Sequence, residues 1–137
     1  MWPQTASGES GWSFCNLTNA VVSKCKTRED VINAVEAASY FGTMQAYYTD
    51  FSYLGAATEE IVRRDALIGV GLTGMCENPK LIFDADLQKE AALAVIKANE
   101  ELAAILGINP AARTTVVKPD GNTSQMLGTS STPGDFR

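Results

Sequence analysis

Apolar positions along the chain follow two different periods, and together they predict strands that alternate with helices. The stretch WSFCNLTNAVVSKC, from Trp12 to Cys25, is rich in aromatic and β-branched residues, which favours one or two strands near residues 13–24. ALIGVGLTG at 66–74 and TTVV at 114–117 are short apolar runs typical of buried strands. This alternation predicts the α/β class.

Two long segments show helical spacing. Thr27 with Asp30 three residues later predicts a capping box and a helix over about 28–48. A second helix is predicted to begin at Asp84 or Asp86. The apolar positions expected to face the core are Val31, Val35, Ala38 and Phe41, with Met44 or Gln45, in the first helix, and Leu87, Ala91, Val95, Ala98, Leu102 and Ile105 in the second.

Local sequence signals also predict shorter elements and the ends of helices. A helix is predicted from Thr58 to about Arg64, because Glu59 and Glu60 place carboxylates beside the exposed amides of a first turn. Gly107 is expected to end the second long helix. The last apolar run then leads into KPDGNTSQMLGTSS, which predicts a glycine-bearing turn and a short helix.

Composition narrows the classes of function. The 137 residues fit one domain, and 45% hydrophobic with 20% charged residues is typical of a globular protein. A net charge of −5 with scattered cations argues against a nucleic-acid partner. No apolar run approaches the roughly 20 residues of a bilayer helix and no signal peptide is evident, so we expect a cytoplasmic protein with no membrane partner.

Metal and histidine chemistry are not expected. The chain contains no histidine, and its three cysteines lack the short spacings of a zinc site. We therefore expect no protein-bound metal and no histidine base.

GVGLTG at 69–74 matches the dinucleotide fingerprint G-x-G-x-x-G. That motif needs a full helix after the glycines and an acidic residue about 20 positions on, whereas GMCENPK intervenes here and Ala94 lies inside the second long helix. The favoured interpretation is a buried strand whose glycines permit close packing, and a small dinucleotide-binding oxidoreductase is a remote alternative.

KPDGNTS at 118–124 is a candidate anion site. Free backbone amides and two hydroxyls at a helix N-terminus suit a phosphate, and Lys118 would favour it, whereas Asp120 would oppose it. A capped turn without a ligand is the simpler alternative.

Cys15 is a candidate thiol in the first strand. A lone cysteine in a strand is more often a small buried hydrophobe than a nucleophile, and no histidine can activate this one. Cys25 and Cys76 are expected to be structural.

Four blocks of the sequence, in order, resemble one family. ESGWSFCNLTN, ATEEIVRRDALIGVGLTGMCENPKLIFD, KANEELAAILGINPAARTTVVKP and GNTSQMLGT, within residues 8–130, resemble the catalytic barrel of adenosylcobalamin-dependent (class II) ribonucleotide reductases, in the ribonucleoside-triphosphate reductase branch. The resemblance implies an α/β fold that is a portion of a ten-stranded α/β barrel. Residues 1–137 would form a single partial domain of it.

The resemblance also implies chemistry. In that family, adenosylcobalamin generates a thiyl radical on a finger-loop cysteine, the radical abstracts the ribose 3′-hydrogen, and two further cysteines supply the electrons. Cys15, within SFCNL, stands where the family has one of the reducing pair. The residues that stand where the family binds the phosphate of its ribonucleoside triphosphate are Gly121, Asn122, Thr123 and Ser124.

The same resemblance exposes departures from the family pattern. The family carries Asn-Pro-Cys-x-Glu before the reducing cysteine, and the usual spacing of eleven residues places the radical cysteine at Gln4. Trp2 then replaces the asparagine and Ala6 the glutamate, so the groups that carry the radical and move protons are absent. Asp120 replaces a common serine.

These departures imply a chain that is inactive alone. We expect a fragment of a reductase that needs an upstream reductase chain or segment, which would supply the radical cysteine and the partner of Cys15. Open strand edges would favour such an association. The alternative is a non-catalytic nucleotide-binding or structural module derived from the same barrel.

Overall fold

The computed structural model describes residues 3–130, which fold as a mixed α/β unit with helices predominating around a small parallel sheet. The α/β class expected from the sequence is confirmed at this level, and membership of a ten-stranded barrel stays a prediction. In chain order the elements are β1 (Asn16–Val21), α1 (Arg28–Ala46), α2 (Ala56–Asp65), β2 (Ile68–Thr73), α3 (Pro79–Ile82), α4 (Ala85–Leu106) and α5 (Gly121–Leu127), with short 3₁₀ turns at Val22–Lys24, Ser52–Leu54 and Met75–Glu77.

The sheet is built by the two predicted N-terminal strands. β1 and β2 run parallel, in a register that pairs Asn16 with Ile68 and Val21 with Thr73. A parallel pair needs a crossover connection, and the chain provides α1 and α2 between the two strands. The first strand is shorter than predicted, because residues 22–24 turn into 3₁₀ conformation.

The predicted strand at 114–117 is only partly formed. Its backbone lies along β2, with Val70 N–H donating to Thr114 O at 2.9 Å and Val116 N–H donating to Val70 O at 3.1 Å, and Thr115 makes an isolated parallel bridge to Val70. The expectation that this run is buried was wrong, since Val117 is 92% exposed. The segment lies at the edge of the sheet, where one side of a strand remains accessible.

Helix boundaries agree closely with the local signals. Thr27 and Asp30 form the predicted capping box at the start of α1, and the Asp84 carboxylate accepts the N–H of Leu87 at 2.7 Å, which selects Asp84 over Asp86 as the cap of α4. α4 ends at Gly107 with φ +71°, in the left-handed region that glycine tolerates. α2 begins two residues earlier than predicted, and α5 confirms the predicted short helix.

The core lies between α1, α4 and one face of the sheet. The Thr18 hydroxyl donates to Ala38 O at 3.0 Å, and Gly42 brings α1 close to Ile68, so α1 packs across both strands. α4 packs along α1. The buried apolar side chains are mainly those predicted: Val31, Val35 and Ala38 of α1 with Leu87, Ala91 and Val95 of α4, against Ala20, Ile68 and Val70 of the sheet.

Toward the C-terminal ends of both long helices, some apolar residues that were predicted to face the core are exposed. Phe41 is 62% exposed and Met44 also lies at the surface, while Ile105 of α4 is exposed as well. The buried positions of this part of α1 are instead small or polar, namely Ser39, Gly42, Thr43 and Ala46.

A buried polar network explains why small and polar residues of α1, and not Phe41 and Met44, face the core at this level. The Ser39 hydroxyl donates to Val95 O at 2.8 Å, and Asn99 Nδ2 donates to Thr43 Oγ1 at 2.8 Å, so both bonds join α1 to α4. The other end of the same amide, Asn99 Oδ1, accepts the N–H of Ala111 at 2.8 Å. Asn99 is only 2% exposed, so each of its bonds replaces one that water would otherwise make.

Replacing Asn99 by alanine should lower the free energy of unfolding by about 2–3 kcal/mol, because the Ala111 N–H loses its acceptor inside the protein and a cavity is left. The measurement is urea unfolding followed by circular dichroism. Glu100→Ala is the matched control, since Glu100 is the exposed neighbour on the same helix and should change stability by less than about 0.5 kcal/mol. Equal effects of the two variants would contradict the role given to Asn99.

Candidate functional site

The sheet face opposite α1 carries the candidate reducing cysteine. Cys15 lies immediately before β1 and not inside the strand as predicted. Successive side chains alternate between the faces of a strand, so the residues of β1 and β2 that point away from α1 share this surface. A Cβ at Gly69 would lie 3.0 Å from Cys15 Sγ and 3.1 Å from Val116 Cγ1, so the thiol and the edge segment flank Gly69 from opposite sides. We call this surface the thiol face; it comprises Cys15, Leu17, Asn19, Gly69, Gly71 and Val116.

Two glycines shape the thiol face. A Cβ at Gly69 would come within 2.7 Å of Leu17 Cδ2, and one at Gly71 within 2.9 Å of Asn19 Oδ1. The glycines therefore let side chains of β1 lie over β2, which supports the close-packing interpretation of GVGLTG. β2 is followed by a 3₁₀ turn and the four-residue α3, so the full helix of a dinucleotide motif is not there.

Cys15 is accessible but not activated. It is a free thiol on an exposed residue, and partial burial raises the pKa of its thiol above the ordinary range. Cys25 is buried and Cys76 half-buried, and neither is bonded to Cys15 in the structure. At neutral pH the Cys15 thiol is therefore protonated, the form that delivers hydrogen equivalents rather than attacks as a thiolate.

The loop that would carry the radical cysteine is held against α2. Gln4 forms an antiparallel bridge with Ser10, and its carbonyl accepts Arg64 Nη1–H at 2.6 Å. Ala6 N–H donates to Glu60 Oε1 at 3.0 Å. Gln4 and Ala6 are both exposed, and Trp2 lies outside the described residues. The loop is thus ordered by α2 with no thiol or carboxylate at the positions that the resemblance assigns to radical and proton chemistry.

The candidate phosphate loop forms the first turn of α5. Gly121, Asn122 and Thr123 are exposed, whereas Ser124 is 1% exposed and its hydroxyl donates to Gly121 O at 2.8 Å. Asp120, which precedes the helix, is also buried. The Thr123 hydroxyl and the exposed backbone of this turn are therefore the accessible donors, while Ser124 stabilises the turn itself.

Glu77 is a residue that sequence reasoning missed. It lies in the 3₁₀ turn after β2, and its Oε1 accepts the Thr129 hydroxyl at 2.6 Å and the Ser130 N–H at 2.5 Å. These bonds, the Thr129 hydroxyl first, lower the pKa of the Glu77 carboxyl below its ordinary value, with Lys24 contributing a favourable charge. Glu77 follows the carboxyl end of a parallel strand, where α/β proteins commonly place functional groups, but a carboxylate in that position is too common to single it out from the sequence.

Comparisons with protein-family models, with curated proteins and with solved structures find no match for this chain. Within residues 3–130, no helix combines the length and apolarity needed to cross a bilayer. In the same part of the chain, no three His, Cys, Asp or Glu side chains are grouped so that they could hold a metal ion.

Two clefts among the described residues are too small to hold adenosylcobalamin. The cleft between α1, α4 and residues 115–118 has a volume of about 270 Å³ and is lined mainly by valine and alanine, and a second cleft beside Asn99 and Pro110 has the same volume. Pockets for drug-sized ligands span ~300–1,000 Å³, and a corrin cofactor is several times larger than such ligands.

The accessibility of the three thiols can be tested by alkylation. Iodoacetamide should modify Cys15 before Cys25 in the folded chain, and the rate at Cys15 should rise from pH 7 to pH 9, because only the thiolate reacts and partial burial raises the pKa of the Cys15 thiol. Peptide mass spectrometry measures each site, and urea provides the control that exposes Cys25. Faster modification of Cys25, or a pH-independent rate at Cys15, would refute this assignment.

Proposed function

We propose that this chain is the part of a class II ribonucleoside-triphosphate reductase barrel that carries one reducing thiol and the loop for the substrate phosphate. The observation that supports the proposal most strongly is that Cys15 and Val116 flank Gly69 from opposite sides, with Cys15 Sγ 3.0 Å and Val116 Cγ1 3.1 Å from the place where a Cβ of residue 69 would lie. Val116 belongs to the segment that leads, within a few residues, into Gly121 and the first turn of α5. The thiol and the segment that enters the candidate phosphate loop are thus both packed against β2.

The role proposed for Cys15 is that of a two-electron donor together with a second thiol. The two thiols lose two electrons and two protons and form a disulfide, while the ribose 2′-hydroxyl leaves as water and the 2′-carbon is reduced. The protonated state of Cys15 at neutral pH suits this role. Cys25 is buried and Cys76 only half-buried, so the second thiol is assigned to a partner chain.

The partner chain must also supply what Gln4 and Ala6 lack. An amide cannot carry a thiyl radical and a methyl group cannot transfer a proton, so the radical cysteine, its proton-handling partners and the cofactor site are assigned to an upstream reductase chain. The accessible edge at residues 113–116 is one place where such a chain could add a strand.

Reconstitution tests this proposal directly. Mixed with an upstream reductase chain, adenosylcobalamin and a ribonucleoside triphosphate, the protein should form deoxyribonucleotide, and Cys15→Ser should reduce that product to background because the electron donor is lost. Cys76→Ser is the matched control and should retain activity. Absence of product although both chains are folded and associated would count against a catalytic role, as would full activity of Cys15→Ser.

A non-catalytic nucleotide-binding module is the second candidate, and the ordered loop with Gln4 and Ala6 at the reacting positions favours it. It shares the phosphate loop with the first proposal but requires no thiol chemistry.

Calorimetry with each of the four ribonucleoside triphosphates tests the phosphate loop. Thr123→Ala should weaken binding about tenfold, since it removes an exposed hydroxyl donor, and Ser124→Ala should weaken it as well by loosening the first turn of α5. Thr49→Ala, in the loop after α1, is the control and should bind like the wild type. If no triphosphate binds the wild-type chain, a structural role alone remains.

A further inference from the structure

The turn after α5 is bound to the end of β2 by four hydrogen bonds. Two of them are the bonds of Thr129 and Ser130 to Glu77 Oε1. In addition, the Gly74 N–H donates to Ser130 O at 3.0 Å and the Thr73 hydroxyl donates to the same oxygen at 3.3 Å. Both the N–H and the carbonyl of Ser130 are therefore bonded to one short stretch, residues 73–77.

Gly74 lets the two segments approach closely. It has φ +79°, in the left-handed region, and a Cβ at this position would overlap Thr129 and approach Ser23 Cβ to 2.6 Å. A side chain at residue 74 would therefore push the turn after α5 away from β2.

From Thr129 the hydrogen bonds continue into the candidate phosphate loop. The Thr129 N–H donates to Ser124 O at 3.1 Å, and the Ser124 hydroxyl donates to Gly121 O at 2.8 Å. Thr129 is 2% exposed and Ser124 1% exposed, so water does not readily replace these bonds. An unbroken series of hydrogen bonds thus joins the Glu77 carboxylate to the first residue of α5.

We propose that Glu77 is a positioning residue for the loop Gly121–Ser124: it anchors Thr129 and Ser130 at the carboxyl end of β2 and thereby fixes the first turn of α5. The identity of the ligand, a ribonucleoside triphosphate, rests on the function proposed above, whereas the anchoring itself rests on the hydrogen bonds alone. Glu77 does not touch the ligand in this proposal. Its effect passes through Thr129 and Ser124.

Hydrogen exchange on the full chain tests the anchoring. Glu77→Gln replaces a charged acceptor with a weaker neutral one, so amide exchange across 125–130, whose N–H groups include those that bond to the carbonyls of the first turn, should become about five- to tenfold faster, while α1 and α4 remain unchanged. Thr129→Val, which keeps the side-chain shape, should produce the same local change. The double variant should add little to either single change, because both remove the same link.

Glu101→Gln is the matched control. It removes the same charge from an exposed glutamate of α4 whose contact, with Lys97 at 3.8 Å, is a weak surface pair, and it should leave exchange at 121–130 unaltered. Unchanged exchange at 125–130 in both Glu77→Gln and Thr129→Val would overturn the proposal, as would acceleration spread evenly over all helices.

A binding experiment separates positioning from mere stabilisation. The probes are the ribonucleoside triphosphate that binds the wild-type chain best and the matching nucleoside without phosphates. Glu77→Gln should weaken binding of the triphosphate about five- to tenfold and leave binding of the nucleoside unchanged. A change of this size lies at the lower end of the range usual for energetic coupling between two sites. Equal weakening of both probes would refute the positioning role.

The two proposals fail in different ways. If the wild-type chain binds no triphosphate, the proposed phosphate site fails, and the exchange experiment alone decides whether Glu77 anchors α5. If the wild type binds and Glu77→Gln binds equally well, the phosphate site stands and the positioning role falls.

Discussion

The side-chain amide of Asn99 must satisfy partners on two sides at once, because it lies buried between α1 and the backbone that follows α4. Its Nδ2 reaches Thr43 and its Oδ1 reaches the Ala111 N–H. Ala111 precedes the segment that runs along β2, so the same amide that joins the two long helices also fixes where the edge of the sheet begins. From there the backbone of residues 113–116 pairs with Ile68 and Val70 of β2 before the chain enters α5.

Local chemistry in the sequence predicted most of the helices, whereas long-range contacts decided the rest. The Thr27–Asp30 capping box, the Asp84 cap and Gly107 act within a few residues, so they could be read directly from the sequence. Phe41 could not be assigned in this way. Its helical spacing fits the core, yet the face of α1 that is buried at that level is selected by Ser39 and Thr43, whose partners are 56 residues away in sequence.

For the candidate site, too, local sequence predicted some residues, whereas others became evident only from long-range contacts. Residue type and neighbours singled out Cys15 and the loop from Gly121 to Ser124, and the structure adds that the thiol is accessible while the Ser124 hydroxyl is already engaged. Glu77 gave no sequence signal of its own, since its donors lie more than 50 residues downstream. A carboxylate after a strand is ordinary in sequence; only the fold shows that it holds the end of another helix.

The absence of a side chain at Gly69 has a consequence for how this protein can change over evolutionary time. A Cβ at residue 69 would lie 2.7 Å from Leu17 Cδ2, whereas Cys15 Sγ at 3.0 Å and Val116 Cγ1 at 3.1 Å are close contacts that small shifts can relieve. Leu17 is 48% exposed, so its side chain can turn toward solvent to make room. Substitution at residue 69 is therefore coupled most strongly to residue 17 and less strongly to the thiol 54 positions away.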